Sequence, residues 1–318
     1  MTAPALVITF LGTGSGVPTL DRNLACVAVQ RQGELFLFDC GEAAQIQYRR
    51  AGLGFGPLRA IFISHLHGDH ITGLMGLLMS LQMADRREPL DLYGPPGLRA
   101  YVRENQRLLR TGFRYELRFR EVEEAATLYE TEQVSIRCRP VEHRVFCLGF
   151  RLEETPRPGR FSLERAAELS IPSGPLYGAL QRGERVTLAD GRVITPEEVL
   201  GPARPGVSMA YVTDTRPCAA AVELARGVDA LIHEATFGKD LAADAAKKSH
   251  CTTTEAAEIA RLAGARKLLL THISPRYGDL GALAREARAI FPETWVAHDL
   301  YRYEIFHREA EEPLHAEG

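Results

Sequence analysis

Short apolar runs that end in glycine, aspartate or histidine recur along the chain. Val7–Leu11 precedes Gly12-Thr13-Gly14-Ser15-Gly16, Glu34–Phe38 precedes Asp39-Cys40-Gly41-Glu42, and Ala60–Ile63 precedes a histidine-rich turn. Val134-Ser135-Ile136 runs towards His143, Val207–Val212 towards Asp214, Ala230–Ile232 into His233 and Lys267–Leu270 towards His272. Their length and their β-branched and aromatic content predict strands. Helical patterns lie between several of them, at Ile71–Met83, Ala219–Arg226 and Thr254–Ala263. The alternation predicts a layered α/β protein, in which sites collect where loops leave the carboxyl ends of strands.

Residues 151–206 break this rhythm. A quarter of them are proline or glycine and their apolar periodicity is weak, as in loop or arm sequence. The segment reads as an insertion dividing a main domain into 1–150 and 207–318, with a small hairpin around Asp190-Gly191. Acids and arginines balance within it, so composition alone gives it no RNA-binding character. Elsewhere Arg99, Arg103, Arg107, Arg110 and Arg114 fall at helical spacing. They read either as a solvated helix face or as a phosphate-contacting stripe, and are not counted as a site.

The densest chemistry is His65-Leu66-His67-Gly68-Asp69-His70, four potential metal ligands within six residues. In extended chain His65 and His67 point to one side. Asp69 and His70 fall where a helix could begin, so one peptide can start two metal sites. Imidazole and carboxylate donors suit zinc first, then manganese, iron or cobalt. The glycine-rich loop at Gly12–Gly16 is not Gly-x-Gly-x-x-Gly and has no following Lys-Ser/Thr; it predicts a tight turn near the metals rather than a nucleotide cradle.

Composition narrows the rest. At 318 residues and 45% hydrophobic content the chain can fill a sizeable core. A formal charge of −3 excludes a protein whose whole surface grips nucleic acid, so any such contact must be local. Six scattered cysteines form no Cys-x-x-Cys pair. No apolar stretch approaches the ~20 residues of a membrane span, and the start of the chain lacks a signal pattern. The expectation is a soluble, cytoplasmic protein.

Taken with its surroundings, the motif resembles the metallo-β-lactamase superfamily and, within it, the ribonuclease Z family of tRNA 3′-processing endonucleases. The similarity extends over Asp39-Cys40-Gly41-Glu42, the insertion with Gly174-Pro175, Asp214-Thr215-Arg216, His233-Glu234-Ala235-Thr236-Phe237, Ser249-His250-Cys251-Thr252, Thr271-His272-Ile273-Ser274 and Ala297-His298-Asp299. It implies an αββα sandwich with a flexible tRNA-binding arm at 151–206, and a homodimer in which one subunit's arm presents precursor tRNA to the other's site. It also implies two Zn2+ per subunit, with Mn2+ or other divalent ions as substitutes. One ion would take His65, His67, His143 and Asp214; the other Asp69, His70, Asp214 and His272. Asp214 would bridge.

The same resemblance implies that Asp69 orients the attacking water and that His250, held by Glu234, protonates the departing 3′ oxygen. His233 would be structural. Two departures from the family pattern stand out: Leu20 replaces a lysine in Pro18-Thr19-Leu20-Asp21-Arg22-Asn23, and Cys251 replaces a serine. By resemblance both lie where the acceptor end binds, and bear on the cleavage position and the response to CCA. Two competing readings are a small-ester or phosphodiester hydrolase of the same fold, which would need no long arm, and a non-catalytic RNA-binding relative, which would be expected to have lost ligands.

Overall fold

In a computed structural model, which describes residues 3–308, the apolar runs form two seven-stranded sheets. The first has the order Arg302–Ile305 (β16), Leu6–Gly12 (β1), Cys26–Arg31 (β2), Glu34–Phe38 (β3), Leu58–Phe62 (β4), Leu90–Gly94 (β5) and Leu117–Glu121 (β6). The second has the order Thr294–Val296 (β15), Leu268–Thr271 (β14), Ala230–Glu234 (β13), Ser208–Val212 (β12), Cys147–Glu154 (β9), Val134–Val141 (β8) and Ala126–Glu130 (β7). Strands β3 to β6 are parallel, as are β12 to β15, so helices must cross over between them. Those helices are Ala44–Arg50 (α1), Gly68–Ile71 (α2), Leu74–Met83 (α3) and Leu98–Leu109 (α4) for the first sheet. Ala219–Ala225 (α7), Ala242–Lys248 (α8), Thr253–Ala263 (α9) and Leu280–Arg288 (α10) serve the second.

The period-two alternation of the strands decides the layers. Leu6, Ile8 and Phe10 of β1 share one buried cluster with Phe36, Phe38, Phe62, Phe150, Met209 and Tyr211, filling the space between the sheets. The opposite faces pack on helices: Leu37, Ile61 and Leu92 meet Tyr48, Leu78 and Val102, while Ala210, Leu231 and Leu270 meet Leu224, Ala257 and Leu283. Each fully buried side chain of this size contributes ~1.5–3 kcal/mol relative to exposure. The result is the expected αββα sandwich.

Two local expectations change. The single helix predicted at Ile71–Met83 is divided into α2 and α3, because Gly73 N–H donates to Cys40 O (3.0 Å) in the loop after β3 instead of to the preceding turn; the approach is so close that a Cβ at Gly73 would lie 1.9 Å from Gly41 O. The insertion is also more ordered than its weak periodicity predicts. Residues 151–153 continue strand β9, and Glu154–Gly206, with His307, form a compact unit separate from the main one. Its helices Leu163–Glu168 (α5) and Pro175–Gln181 (α6) and the hairpin Val186–Thr187 (β10) and Val193–Ile194 (β11) enclose a small core of Ala166, Ile171, Leu180, Val186, Leu188, Ile194 and Val199. Its apolar positions are dispersed among short elements, which hides the pattern. Of the segment expected to close the main domain, 309–318 lie outside the described residues.

Candidate metal centre

Seven of the predicted ligands come from four strand ends and one helix start. His65 and His67 follow β4, His143 follows β8, Asp214 follows β12, His272 follows β14, and Asp69 and His70 open the short helix α2. Asp39, at the end of β3, Asp214 and His272 all have positive φ (58°, 23° and 57°). Non-glycine residues persist in that region at a cost of about 1–3 kcal/mol each when the surroundings over-determine them, and such positions cluster at functional sites.

The structure gathers these residues into two clusters. His65, His67, His143 and Asp214 bring ligand atoms within 4.8 Å of one another, as do Asp69, His70 and His272. Asp214 stands between them: Oδ2 faces His65 Nε2 (3.5 Å) and His143 Nε2 (3.7 Å), whereas Oδ1 faces His70 Nε2 (3.3 Å) and His272 Nε2 (3.2 Å). One carboxylate thus offers one oxygen to each cluster.

Surrounding acceptors fix the imidazole tautomers. His143 Nδ1–H donates to Ser249 O (2.9 Å), and His70 Nδ1–H to Asp39 Oδ2 (2.7 Å). Ser64 Oγ donates to Asp39 and is left to accept from His65 Nδ1 at 3.0 Å. Thr236 Oγ1 donates to Glu234 Oε2 at 2.6 Å and accepts from His272 Nδ1 at 2.9 Å. In its neutral form each of these rings therefore turns a lone pair inward at Nε2. His65 Nε2 lies 3.0 Å from His67 Nδ1, His67 Nδ1 lies 3.3 Å from His143 Nε2, and His70 Nε2 lies 3.1 Å from His272 Nε2. The neutral His70 and His272 rings, with both Nδ1 atoms engaged outward, have no mutual hydrogen bond to make, and His67 Nδ1 can bridge at most one of its two neighbours at a time. A cation satisfies these inward lone pairs, and the outer hydrogen bonds are the kind that orient metal-ligating histidines. The residues present fit divalent ions.

Electrostatics support the same use. Burial and neighbouring imidazoles push His65 well below its ordinary pKa, and burial lowers His67 and His143, so the first cluster presents neutral rings. Burial opposes charge on His70 too, but Asp214 and Asp39 outweigh it and raise its pKa. In the absence of a cation that ring holds a proton between two carboxylates, which a divalent ion would replace. Asp214 is itself held well below the carboxylate range, its burial overcome by the surrounding histidines.

Beside the clusters is a cavity of about 330 Å³ lined by Ser15–Val17, His67, Asp69, Asp214, Thr236, Phe237, Lys248, His250, His272 and Ser274–Arg276. His250 Nδ1 is bonded to the fully buried Glu234 Oε1 at 2.8 Å, which leaves Nε2 without a hydrogen bond among the described residues. Burial disfavours the imidazolium, yet the Glu234 carboxylate lifts its pKa to about 9. His233 does not reach the cavity; it is buried and its Nδ1–H donates to Glu234 O. The glycine-rich turn does reach it, since Gly16 N–H donates to Asp69 Oδ2 at 2.8 Å. A larger cavity between β8 and α7 holds no residue of either cluster.

Sequence reasoning missed several contributors. Asp39 is fully buried and accepts four hydrogen bonds, from Ser64 N, Ser64 Oγ, His70 Nδ1 and Tyr211 Oη. Its position after an apolar run was the available signal. Asp299 accepts from Thr13, Asn23 and Gln47, tying the glycine-rich turn to the Pro18–Asn23 loop. Lys248 and Arg276 flank Phe237, their charged groups 5.5 and 5.2 Å from its ring, and put two cations in the cavity. Nothing local in the sequence marks either of them. Leu20 is fully exposed on its loop.

Comparisons with known proteins identify relatives of the chain. Residues 6–146 match the family described as anti-Pycsar protein Apyc1, and residues 178–273 the β-lactamase superfamily domain. Ribonuclease Z of Cyanothece sp. (strain PCC 7425 / ATCC 29141) is 49% identical over 305 residues, covering 94% of this chain and 95% of the relative. Ribonuclease Z of Salinibacter ruber (strain DSM 13855 / M31) is 48% identical, with 95% of each chain covered. The crystal structure of the short form of human tRNase Z superposes with a TM-score of 0.67 at 27% identity, over 94% of this chain and 99% of that one. The chain belongs to the ribonuclease Z family of the metallo-β-lactamase superfamily.

Proposed function

We propose that this protein removes the 3′ trailer from precursor tRNA by metal-dependent hydrolysis, leaving a 3′ hydroxyl on the tRNA and a 5′ phosphate on the trailer. The observation that carries the reading is the pair of ligand clusters sharing Asp214, with the His250–Glu234 couple beside them in the same cavity. His65, His67, His143 and Asp214 would hold one ion and Asp69, His70, Asp214 and His272 the other, with zinc the best match to these donors. Two ions so held would supply an acidified water near neutral pH and neutralise charge on the scissile phosphate.

The chain's own residues do the rest. Asp69, fixed by Gly16 N–H, orients the attacking water. Lys248 and Arg276 draw the phosphate into the cavity and offset its charge. Glu234 keeps His250 protonated, and Nε2–H is then free to donate to the departing 3′ oxygen. Residues 154–206 are read as the tRNA-holding arm. A homodimer is supported by the exposed apolar side chains Met79 and Met83 of α3, which line a surface cavity together with Phe55.

The deciding experiment incubates metal-loaded protein with precursor tRNAs carrying 3′ trailers, with and without CCA, and maps the cut at nucleotide resolution. A single metal-dependent cut beside the discriminator or CCA supports the reading. An intact precursor from protein that still hydrolyses a small phosphodiester would transfer the site to small-molecule chemistry.

A further inference from the structure

Helix α4 begins at the metal centre and carries arginine away from it. The Pro95-Pro96 turn ahead of the helix lines a cavity of about 580 Å³ together with Leu66, His67, Val145, Phe146 and Glu123. Gly97, at φ 99°, packs so closely on the metal motif that a Cβ would lie 2.9 Å from Leu66 Cδ1. His67 lines both this cavity and the reaction cavity, so the two are neighbours.

From that start, Arg99, Arg103 and Arg107 fall within an arc of roughly 80° at 100° per residue and span about 12 Å, and Arg110 follows as the left-handed residue that ends the helix. All four are exposed. Arg107 is paired with Glu104 at 2.9 Å, but Arg99, Arg103 and Arg110 have no ion-pair partner among the described residues. Arg99 and Arg103 both lie over the ring of Phe119, at 5.4 and 5.7 Å, which brings two like charges together on one platform. Four arginines face one glutamate between Leu98 and Arg110, in a chain of net charge −3. Such a concentration of unpaired guanidinium groups is the footprint of a polyphosphate strand.

The mechanism gives that strand a direction. The departing 3′ oxygen lies at His250, so the last nucleotide of the tRNA body occupies the side of the cavity formed by Phe237, Lys248 and Arg276. A strand on the other side of the scissile phosphate that passed His67 would enter the cavity at the start of α4. We infer that the arginine face of α4 is a track for the 3′ trailer, holding its phosphates by charge as it leaves the metal centre. The inference rests on the trailer-removing reading proposed above.

The test compares precursor tRNAs bearing a single-nucleotide and a long trailer, using wild-type protein and the variant R99A/R103A/R110A. A small chromogenic phosphodiester serves as the control for fold and metal loading. For the long trailer KM should rise about tenfold in the variant with kcat unchanged, and the salt dependence should weaken by roughly 2 in log–log slope for three lost contacts. The single-nucleotide precursor and the small diester should be cleaved as by wild type. R99K/R103K/R110K should restore the long-trailer KM, and R103E alone should raise it should the triple alanine variant lose the control activity. Equal KM increases for both trailers would place the face on the tRNA body and overturn the inference. No change for either would also overturn it, leaving a solvated or protein-binding face. Wild-type protein that cleaves the diester but neither precursor would refute the endonuclease reading itself, before any variant is compared.

Discussion

At the scale of single residues, the proposed function assigns Asp214 and His250 different work. Asp214 sends one oxygen to each ligand cluster, whereas the His250 ring bonds to Glu234 and Thr236 on the outer side of the site. Asp214→Ala should therefore lose bound metal, measured by elemental analysis after dialysis. His250→Ala should keep its metal and lose about 10²–10⁴-fold in turnover, as for removal of a general acid. Equal metal loss in both would end that division of roles. The same couple predicts a pH limb. His250 must be protonated to donate, and its pKa is raised to about 9, so kcat should show an alkaline limb that falls as pH rises through it. In the Glu234→Gln variant the supporting negative charge is gone, and the alkaline limb should move to lower pH.

Among the elements, the junction of α2 with α3 controls how the metal motif is presented. Gly73 N–H donates to Cys40 O at 3.0 Å, and a side chain at Gly73 or Gly41 would collide with the facing loop or with Asp69 O. The two glycines let the loop carrying Asp39 lie against the turn carrying Asp69 and His70. Gly73→Ala should destabilise by about 1–3 kcal/mol through overpacking, measured by denaturant unfolding, and should weaken metal binding. The predicted helix at Ile71–Met83 was readable from its apolar spacing. Its interruption was not, because the cause is a loop more than thirty positions earlier in the chain.

For the whole molecule the question is how far the insertion can be separated from the sandwich. Glu153 and Ser208 are register partners in antiparallel β9 and β12, so the ends that flank residues 154–206 are already neighbours. Replacing that segment by a short Gly-Ser turn should leave the two sheets and the ligand clusters intact. Hydrolysis of a small phosphodiester should persist while cleavage of precursor tRNA falls by at least ~100-fold, the scale of losing a positioning contact. Loss of both activities would show that the sandwich depends on the insertion.

The sequence by itself determined the central strands β1, β3, β4, β12, β13 and β14, because their apolar runs are local and largely buried on both faces, and it marked the first candidate ligands, because four of them lie within six residues. His143, Asp214 and His272 were legible as candidates, each an isolated residue after an apolar run, but only the resemblance grouped them into one set. The tertiary structure decided the rest. Parallel pairing sets Val212 beside His233 and Glu234 beside Thr271, and so brings Asp214, the Glu234–His250 couple and His272 to one sheet end from positions far apart in the chain. The supporting oxygens of Asp39, Ser249 and Thr236, and the cations of Lys248 and Arg276, acquire their roles in the same way. Each depends on distance across the fold, which apolar periodicity along the chain does not encode.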